Sequence, residues 1–420
     1  MADQNPSGWQ TAPGVDSADL IEREHILSIL DSFYSFRRWT HQHVTHSRRQ
    51  AFYALPTTHW QLLADAPINF TDTLNAVDDA LDANANVAEA IFATAVLPFV
   101  GVQGGEQEDS NGPEQTGENQ LWKGKANQLN MEKAISTIRQ LFRDWSEEGY
   151  PERTASYLPV LKALQKEFQH IPDEDKGEIK VLIPGAGLGR LVLEICALGY
   201  TAEGNEISYH QLMTSSFILN HTTSRLQHRL YPFVYEFSNH WSRAEQLRVV
   251  SVPDISPADV LNAASEGKKI HAFERMSMTA ADFSVHYKSA DEKEKHNAVT
   301  TVYFIDTAPD FITYVKTIHN CLKKNGAWIN LGPLLWHFEN RHPVDQEQSA
   351  QDGGSQNASR GIADPGRVEL TAQEVAKLVE HFGFKMEQFH ANVPPSTYIG
   401  NSMGMLVSCY RPLFFIARKK

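Results

Sequence analysis

The sequence predicts an α/β fold in which a doubly wound, mostly parallel sheet follows an N-terminal helical region. Three observations predict it. After residue 179, strand-like apolar runs alternate with helical segments, which is typical of a doubly wound sheet. A glycine-rich turn at residues 185–189 joins the first of these strands to a helix. Before the sheet region, apolar residues recur at spacings of three and four, which indicates amphipathic helices.

The N-terminal helical region is predicted to span residues 18–170. In its first helix, apolar residues recur at helical spacing: Leu20, Ile21, Ile26, Ile29, Leu30, Phe33 and Phe36. Further helices are predicted at about 129–145 and 155–168. Residues 1–17 are rich in Pro, Gly, Ser and Asp, which predicts disorder. Residues 104–120 have almost no apolar side chain, which predicts an exposed acidic loop.

The sheet region is predicted to span residues 171–420. Its apolar, partly β-branched runs predict strands at 179–183, 201–206, 298–305, 327–331, 384–389 and 413–417, and a further strand, third along the sheet region, that ends near residue 282. Its amphipathic segments predict helices at about 190–198, 209–226, 311–322 and 371–382. A long irregular stretch is predicted before residue 298, and a polar insertion at 343–366.

Charge and composition exclude several classes of protein. A formal net charge of −13 over 420 residues disfavours nucleic acid and anionic membranes as partners. With 41% hydrophobic and 21% charged residues, the chain has a globular composition. No apolar run approaches the roughly 18 residues of a membrane span, and no signal peptide is recognisable. Cys196, Cys321 and Cys409 are too scattered for a disulfide framework, which predicts a cytoplasmic and possibly also nuclear location.

Three histidines, His41, His43 and His46, form the pattern H-x-H-x-x-H in a helical segment. A helix places the first two about 200° apart around its axis, so their side chains do not converge on one ion. We therefore predict no metal site.

The segment VLIPGAGLGR, residues 181–190, carries Gly185, Gly187 and Gly189 between a predicted strand and helix. Glycine permits positive φ and close approach of the backbone to a ligand, and the N-terminus of the helix offers free N–H groups. The spacing is G-x-G-x-G, whereas dinucleotide sites use G-x-G-x-x-G. The turn therefore favours S-adenosylmethionine over NAD, although many such turns need glycine for packing alone.

Two further strand ends carry side chains that suit the same cofactor. Glu206 follows the second predicted strand, about 20 residues after Gly185, where an acidic side chain meets ribose hydroxyls. The alternative is an ordinary exposed acid. Asp282 and Phe283 follow the third predicted strand, where a carboxylate can accept a hydrogen bond from the adenine amino group and an aromatic ring can pack on adenine.

Seven segments, in this order, resemble the carnosine N-methyltransferase family: RQLFRDWSEEG, VLIPGAGLGRLVLEICALGY, GNEIS, YPFVYEFSNHWSRAEQLR, MTAADF, FIDTA and INLGPLLWHFEN. The resemblance extends from about residue 130 to the C-terminus. It implies a class I methyltransferase sheet, S-adenosylmethionine as cofactor, a small histidine-containing peptide as substrate and a possible homodimer. The implied reaction methylates a ring nitrogen of the histidine in carnosine and gives anserine.

The resemblance also implies cofactor-binding roles. Gln140 and Arg143, at i and i+3 on one helix face, match cofactor-holding positions, and an arginine suits the methionyl carboxylate. Four other matching positions coincide with the residues already selected by spacing: Gly185, Glu206, Asp282 and Phe283.

For the substrate, the resemblance implies contacts from Asp306, His337 and Tyr410. Asp306 ends the fourth predicted strand and His337 follows the fifth, so both are expected at the carboxyl edge of the sheet, where ligands bind. We expect Asp306 to fix the imidazole tautomer and His337 to share this catalytic task or to orient the ring. Without the resemblance, the residues themselves point only to Asp306.

Two alternatives remain open from the sequence. The chain could methylate histidine in a protein or larger peptide, or it could be an inert module that binds the cofactor. The insertions at 104–120 and 343–366 depart from the family, and the second begins just after His337, where it can reshape substrate access. An intact set of Asp306, His337 and Tyr410 disfavours the inert module.

Overall fold

A seven-stranded sheet organises the computed structural model, which describes residues 17–100, 121–339, 366–390 and 393–420. The strands along the described chain are β1 Lys180–Pro184, β2 Thr201–Glu206, β3 His228–Leu230, β4 Val250–Val252, β5 Met276–Ala280, β6 His296–Val302, β7 Leu322–Gly332, β8 Phe384–His390 and β9 Leu413–Lys419. The sheet order is β5-β2-β1-β6-β7-β9-β8. The first five strands in this order are parallel to one another, and β9 is antiparallel to both of its neighbours, β7 and β8. This arrangement confirms the predicted doubly wound sheet of a class I methyltransferase.

The order of the strands reverses between β1 and β6. From β1 the chain moves outward through β2 to β5, then returns to β6 on the other side of β1. Ligands of doubly wound sheets bind in the crevice at such a switch point, outside the carboxyl ends of the strands. The glycine-rich turn lies at this point, because it follows β1 directly.

Strand β1 shows why the apolar run predicts a buried strand. Its side chains alternate between two hydrophobic clusters, with Val181 and Ile183 in one and Leu182 in the other. A strand covered on both faces must be apolar at every position. The sheet is therefore the middle of three layers.

Helices form the outer layers. Those before the sheet are α1 Ser17–Tyr34, α2 Phe36–Thr40, α3 Ser47–Tyr53, α4 Thr57–Ala64, α5 Phe70–Val100, α6 Gln128–Trp145 and α7 Tyr150–Glu167, with a π-helical turn at His41–His46. Those within the sheet region are α8 Arg190–Ala197, α9 Tyr209–His221, α10 Arg243–Gln246, α11 Pro257–Ser265, α12 Ala272–Arg275, α13 Phe283–His286, α14 Phe311–Cys321 and α15 Ala372–His381. No helix in the described ranges has both the length and the apolar character needed to cross a bilayer.

The N-terminal helices share one buried core with the sheet. Leu30 and Phe33 of α1 and Leu141 of α6 belong to the same buried cluster as Val181 and Ile183 of β1. Burial of this shared apolar surface is the main stabilising contribution to the packing of the two regions. The division into a helical region and a methyltransferase core at residue 170 stays a prediction.

Side-chain hydrogen bonds cap the N-termini of helices α6 and α15. The Asn127 side chain accepts the Asn130 amide at 2.9 Å and caps α6. Thr371 and Glu374 form a reciprocal capping box at the start of α15. Such caps satisfy amide groups that have no partner within the helix.

Several sequence predictions differ from the structure. Helix α7 begins at Tyr150 rather than near 155, and β7 begins at Leu322 rather than at 327. The stretch predicted as irregular contains the β3–β4 hairpin and short helices, because its strands are only three residues long and show no periodicity. Helix α9 ends at His221 rather than near 226, since Thr222 is extended. Strand β6 ends at Val302 rather than 305, because Tyr303 adopts a left-handed backbone with φ 54°. Asp306 therefore lies beyond the strand, in a 3-10 turn, and does not end it.

The histidines of the H-x-H-x-x-H pattern lie in the π-helical turn. His41 contacts Asp78 through Nδ1 at 3.1 Å and Asp82 through Nε2 at 2.9 Å. The His43 ring stacks on Trp39. The predicted disordered N-terminus before residue 17, the acidic loop 104–120 and the insertion from 343 to 365 lie outside the described residues.

Candidate active site

A cavity of about 360 Å³ lies at the carboxyl edge of the parallel strands. All seven residues predicted to bind the cofactor line it: Gln140, Arg143, Gly185, Gly187, Glu206, Asp282 and Phe283. His337 lines it as well, whereas Asp306 and Tyr410 are not among the lining residues. The carboxyl ends of parallel strands share one edge, so residues distant in sequence converge there.

The glycine-rich turn needs glycine for geometric reasons. Gly185 and Gly187 have φ of 68° and 58°, which other residues rarely adopt. A Cβ on Gly185 would lie 2.5 Å from Cδ2 of Phe304, whose ring stacks on Tyr314. A side chain at Gly185 would therefore displace an aromatic wall of the cavity, and the turn brings bare backbone to the ligand.

Glu206 is held firmly at the end of β2. Its Oε1 accepts the amides of Ile207 and Ser208 at 2.9 Å each, and its Oε2 accepts the Gly187 amide at 2.9 Å. Burial raises the pKa of Glu206, and these three N–H groups oppose the rise. Because Oε2 accepts only one bond, it retains a lone pair for a ribose hydroxyl.

Asp282 divides its two carboxylate oxygens between structure and ligand. Oδ1 caps the short helix α13 by accepting the amides of Ser284 at 2.7 Å and Val285 at 3.3 Å. Oδ2 is buried and has no hydrogen-bond partner among the described residues. A buried acceptor without a partner is costly, and an adenine amino group would satisfy it.

Replacing Asp282 with Asn tests this division of roles. We expect Asp282→Asn to weaken binding of S-adenosylhomocysteine about 10- to 100-fold, because a hydrogen bond of about 1–3 kcal/mol is lost. Asparagine caps helices as well as aspartate does, so stability should hold. Calorimetry measures the affinity. Ser284→Ala is the control, since it removes the Ser284 hydroxyl, which donates to Oδ1 at 2.7 Å, and leaves Oδ2 untouched. An equal loss of affinity in both variants would contradict the role of Oδ2.

The other end of the cavity carries both signs of charge. Arg143, only 4% exposed, pairs with Asp144 at 3.0 Å and with Glu152 at 3.3 Å. Asp144 also accepts hydrogen bonds from Gln140 and from the Tyr157 hydroxyl, each at 3.1 Å. The methionyl part of S-adenosylmethionine is a zwitterion, so a guanidinium for its carboxylate and a carboxylate for its ammonium fit this end.

Asp306 and the segment after β7 are joined by two hydrogen bonds. The Leu335 amide donates to Oδ2 of Asp306 at 3.0 Å, and the His337 amide donates to the Asp306 carbonyl at 3.0 Å. Burial raises the pKa of Asp306, while the Leu335 amide and His337 oppose the rise. Oδ1 makes no hydrogen bond to another residue in the described ranges. The carboxylate therefore keeps an acceptor atom free beside a residue of the cavity wall.

Tyr410 does not line the cavity, but it contacts a residue that does. Its backbone pairs with Ser396, and its ring centroid is 6.1 Å from that of Tyr303, which does line the cavity. In the structure, Asp306 is therefore hydrogen-bonded to His337 through the backbone, whereas Tyr410 packs against Tyr303.

Among the lining residues that the sequence predictions missed, Asp144, Tyr303 and Tyr398 lie beside Arg143. Asp144 follows Arg143 directly, and its charge next to a candidate cofactor residue was a usable signal. Tyr303 and Tyr398 both place their rings near the Arg143 guanidinium, at 5.4 and 4.9 Å. No spacing in the sequence relates these tyrosines to α6, so only the folded chain identifies them.

Comparison with known proteins identifies the family of this chain. A family model described as carnosine N-methyltransferase matches residues 120–420. A carnosine N-methyltransferase of Schizosaccharomyces pombe is 33% identical over 393 residues, covering 93% of this chain and 94% of that protein. A carnosine N-methyltransferase of Mus musculus is 32% identical over 416 residues, covering 99% of this chain and 90% of that protein. The chain belongs to the carnosine N-methyltransferase family.

Proposed function

We propose that this enzyme transfers the methyl group of S-adenosylmethionine to a ring nitrogen of the histidine in carnosine, giving anserine. Membership of the family supports the reaction, and the relatives that carry this name match nearly the whole chain. Related histidine dipeptides belong to the same substrate class.

One observation carries the proposal. A single cavity joins the residues that fit the cofactor to His337, and the backbone amide of His337 donates to the carbonyl of Asp306. Donor and acceptor can therefore meet in one cavity. Methyl transfer is an in-line displacement, so its catalysis depends mainly on holding the two reactants in near-attack geometry and excluding water.

The acceptor nitrogen must present a lone pair. Free imidazole has a pKa of about 6.5, so it is mostly neutral at pH 7 and carries its proton on one of its two nitrogens. Asp306 does not line the cavity, but its Oδ1 makes no hydrogen bond to another residue in the described ranges. A bound ring that reaches past His337 can donate its N–H to Oδ1, which leaves the opposite nitrogen to attack. When bound, S-adenosylmethionine supplies an electrophilic methyl group on a sulfonium.

The residues of this chain then act on the charge that develops. As the N–CH3 bond forms and the S–CH3 bond breaks, the electron pair stays on sulfur and the ring becomes an imidazolium. The Asp306 carboxylate stabilises this cation, and His337 in the cavity wall orients the ring. The proton on the second nitrogen stays with the product and exchanges with water after release.

Methyl transfer assays test the proposal. The purified chain is incubated with radiolabelled S-adenosylmethionine and, separately, carnosine, a mixture of histidine-containing proteins, or no acceptor. We expect labelled anserine, identified by chromatography against both ring-methylated isomers. Transfer to proteins but not to carnosine would favour a protein histidine methyltransferase. Calorimetric binding of the cofactor with no transfer to any acceptor would support an inert module.

A further inference from the structure

Glu152 connects two parts of the chain that are almost 250 residues apart. It lies in the first turn of α7 and is only 7% exposed. On one side its Oε1 pairs with Nε of Arg143 at 3.3 Å. On the other side it accepts the Thr397 hydroxyl at 2.6 Å and the amides of Ile399 at 2.7 Å and Gly400 at 3.1 Å. Both oxygens are therefore fully engaged.

The turn that Glu152 holds, residues 397–400, forms part of the cavity wall. Tyr398 lines the cavity, and its ring lies over the Arg143 guanidinium at 4.9 Å. Tyr398 keeps 41% of its surface exposed, so its position depends on the backbone that carries it. The turn belongs to no helix or strand. Just before it, Ser396 forms an isolated antiparallel bridge with Tyr410.

The backbone of this turn is in an unfavourable conformation. Ile399 has φ 53°, and a β-branched residue with positive φ is an outlier that its surroundings must impose. The amides of Ile399 and the following Gly400 both donate to Glu152. A carboxylate that accepts two successive amides can hold the chain in such a turn.

We propose that Glu152 is a positioning residue that couples the turn 397–400 to the end of the cavity where Arg143 lies. It holds the turn 397–400, and with it Tyr398, against the arginine that receives the methionyl carboxylate. When a ligand carboxylate engages Arg143, the attraction between Arg143 and Glu152 is redistributed, so the turn responds to occupancy of the cofactor end. This inference rests on the proposed function, because it takes the cofactor as the ligand of Arg143 and carnosine as the acceptor in the same cavity.

A purely structural role for Glu152 would have different consequences. Replacing Glu152 would then lower the stability of the protein, but ligand binding would not change the protection of the turn 397–400. Coupling instead predicts that S-adenosylhomocysteine changes the protection of the turn in the native protein and that this change needs Glu152. These two possibilities can be separated without measuring catalysis.

Amide hydrogen exchange, measured on peptides spanning residues 393–412 with and without S-adenosylhomocysteine, makes the distinction. In the native protein we expect the ligand to increase protection of this segment. In Glu152→Gln and in the milder Thr397→Val we expect faster exchange and a smaller response to the ligand. For Glu152→Gln, KM for carnosine should rise roughly 10- to 100-fold, the range for a lost hydrogen bond to a charged group, with a smaller change in kcat.

Glu167→Gln is the matched control. Glu167 lies on the same helix and also bonds to the C-terminal segment, through a two-point pair with Arg418 at 2.8 Å, away from the cavity. It should leave both the exchange response and KM unchanged. An identical ligand response in the native protein and both test variants would overturn the proposal, and if Glu152→Gln fails to fold, Thr397→Val decides. Coupling in a protein that does not methylate carnosine would overturn the proposed function alone.

Discussion

Replacing Asp306 with Asn should lower the rate of carnosine methylation by about 10²- to 10⁴-fold, the range for loss of a group that stabilises charge or transfers a proton in the transition state. An amide carries no negative charge, so it cannot stabilise the developing imidazolium. It can also turn its NH2 group toward the ring and favour the wrong tautomer. Initial rates with saturating cofactor measure the effect.

Binding of S-adenosylhomocysteine to Asp306→Asn should change little, because Asp306 is not among the residues that line the cofactor cavity. Asp310→Asn is the matched control. Asp310 caps α14 by accepting the Ile312 amide at 2.9 Å, and asparagine can replace it in that role. Near-normal turnover in Asp306→Asn would remove this carboxylate from the mechanism.

The largest loss of stability is expected for Asp254→Ala. Asp254 pairs with Arg153 at 2.6 Å and with Arg190 at 2.5 Å, and all three side chains are nearly buried. Removing the carboxylate takes from two buried guanidinium groups the acceptor they share, so Arg153 keeps backbone carbonyl acceptors and Arg190 keeps its pair with Glu194 at 2.8 Å. This loss should lower the free energy of unfolding by about 3–5 kcal/mol. Urea denaturation followed by tryptophan fluorescence measures the change.

The same variant should weaken cofactor binding. Arg153 donates to the carbonyls of Arg143 at 2.8 Å and Ser146 at 2.6 Å, so the pairs of Asp254 support the backbone that presents the cofactor residues of α6. Asp173→Ala is the control, because Asp173 is exposed and its ion-pair partners within the described ranges are Lys176, at 2.9 Å, and Lys268. Such surface pairs contribute about 0–1 kcal/mol. Equal denaturation midpoints for the two variants would refute the role of Asp254.

Several features of the cavity could be predicted because they depend on local patterns. The apolar run at 179–183 predicts a strand buried on both faces, and Val181 and Leu182 do pack into different clusters. Once the parallel strands are recognised, the residues after their carboxyl ends must share one edge. That rule brings Gly185, Glu206 and Asp282 together without any knowledge of side-chain contacts.

The family resemblance added what spacing could not. Gln140 and Arg143 lie on a helix before the sheet, and their polar side chains would otherwise predict a solvent-exposed helix face. Both are buried in the wall of the cavity. The reason is that α6 packs its polar residues against the ligand edge of the sheet, which periodicity alone cannot distinguish from solvent.

Tyr303 illustrates a limit of local prediction. A tyrosine in an apolar run predicts continued strand, yet its φ is 54° and β6 ends before it. The neighbouring β7 imposes this conformation, since the Tyr303 amide donates to the Leu331 carbonyl and a Cβ on Gly332 would lie only 3.0 Å from that amide nitrogen. Asp306 reaches its place beside His337 because of this turn.

The sequence by itself determined that a parallel sheet presents a ligand edge, and it selected the glycine turn, Glu206, Asp282 and Phe283 as a site for S-adenosylmethionine there, because strand burial, glycine spacing and strand ends follow from local rules. Only the tertiary structure decided how the glycine turn, Arg143 and the acceptor wall meet. The contacts of Glu152 with residues 397–400 and of Asp254 with Arg153 join segments more than 100 residues apart. Such contacts depend on how complete layers pack, and no spacing within the chain encodes them separately.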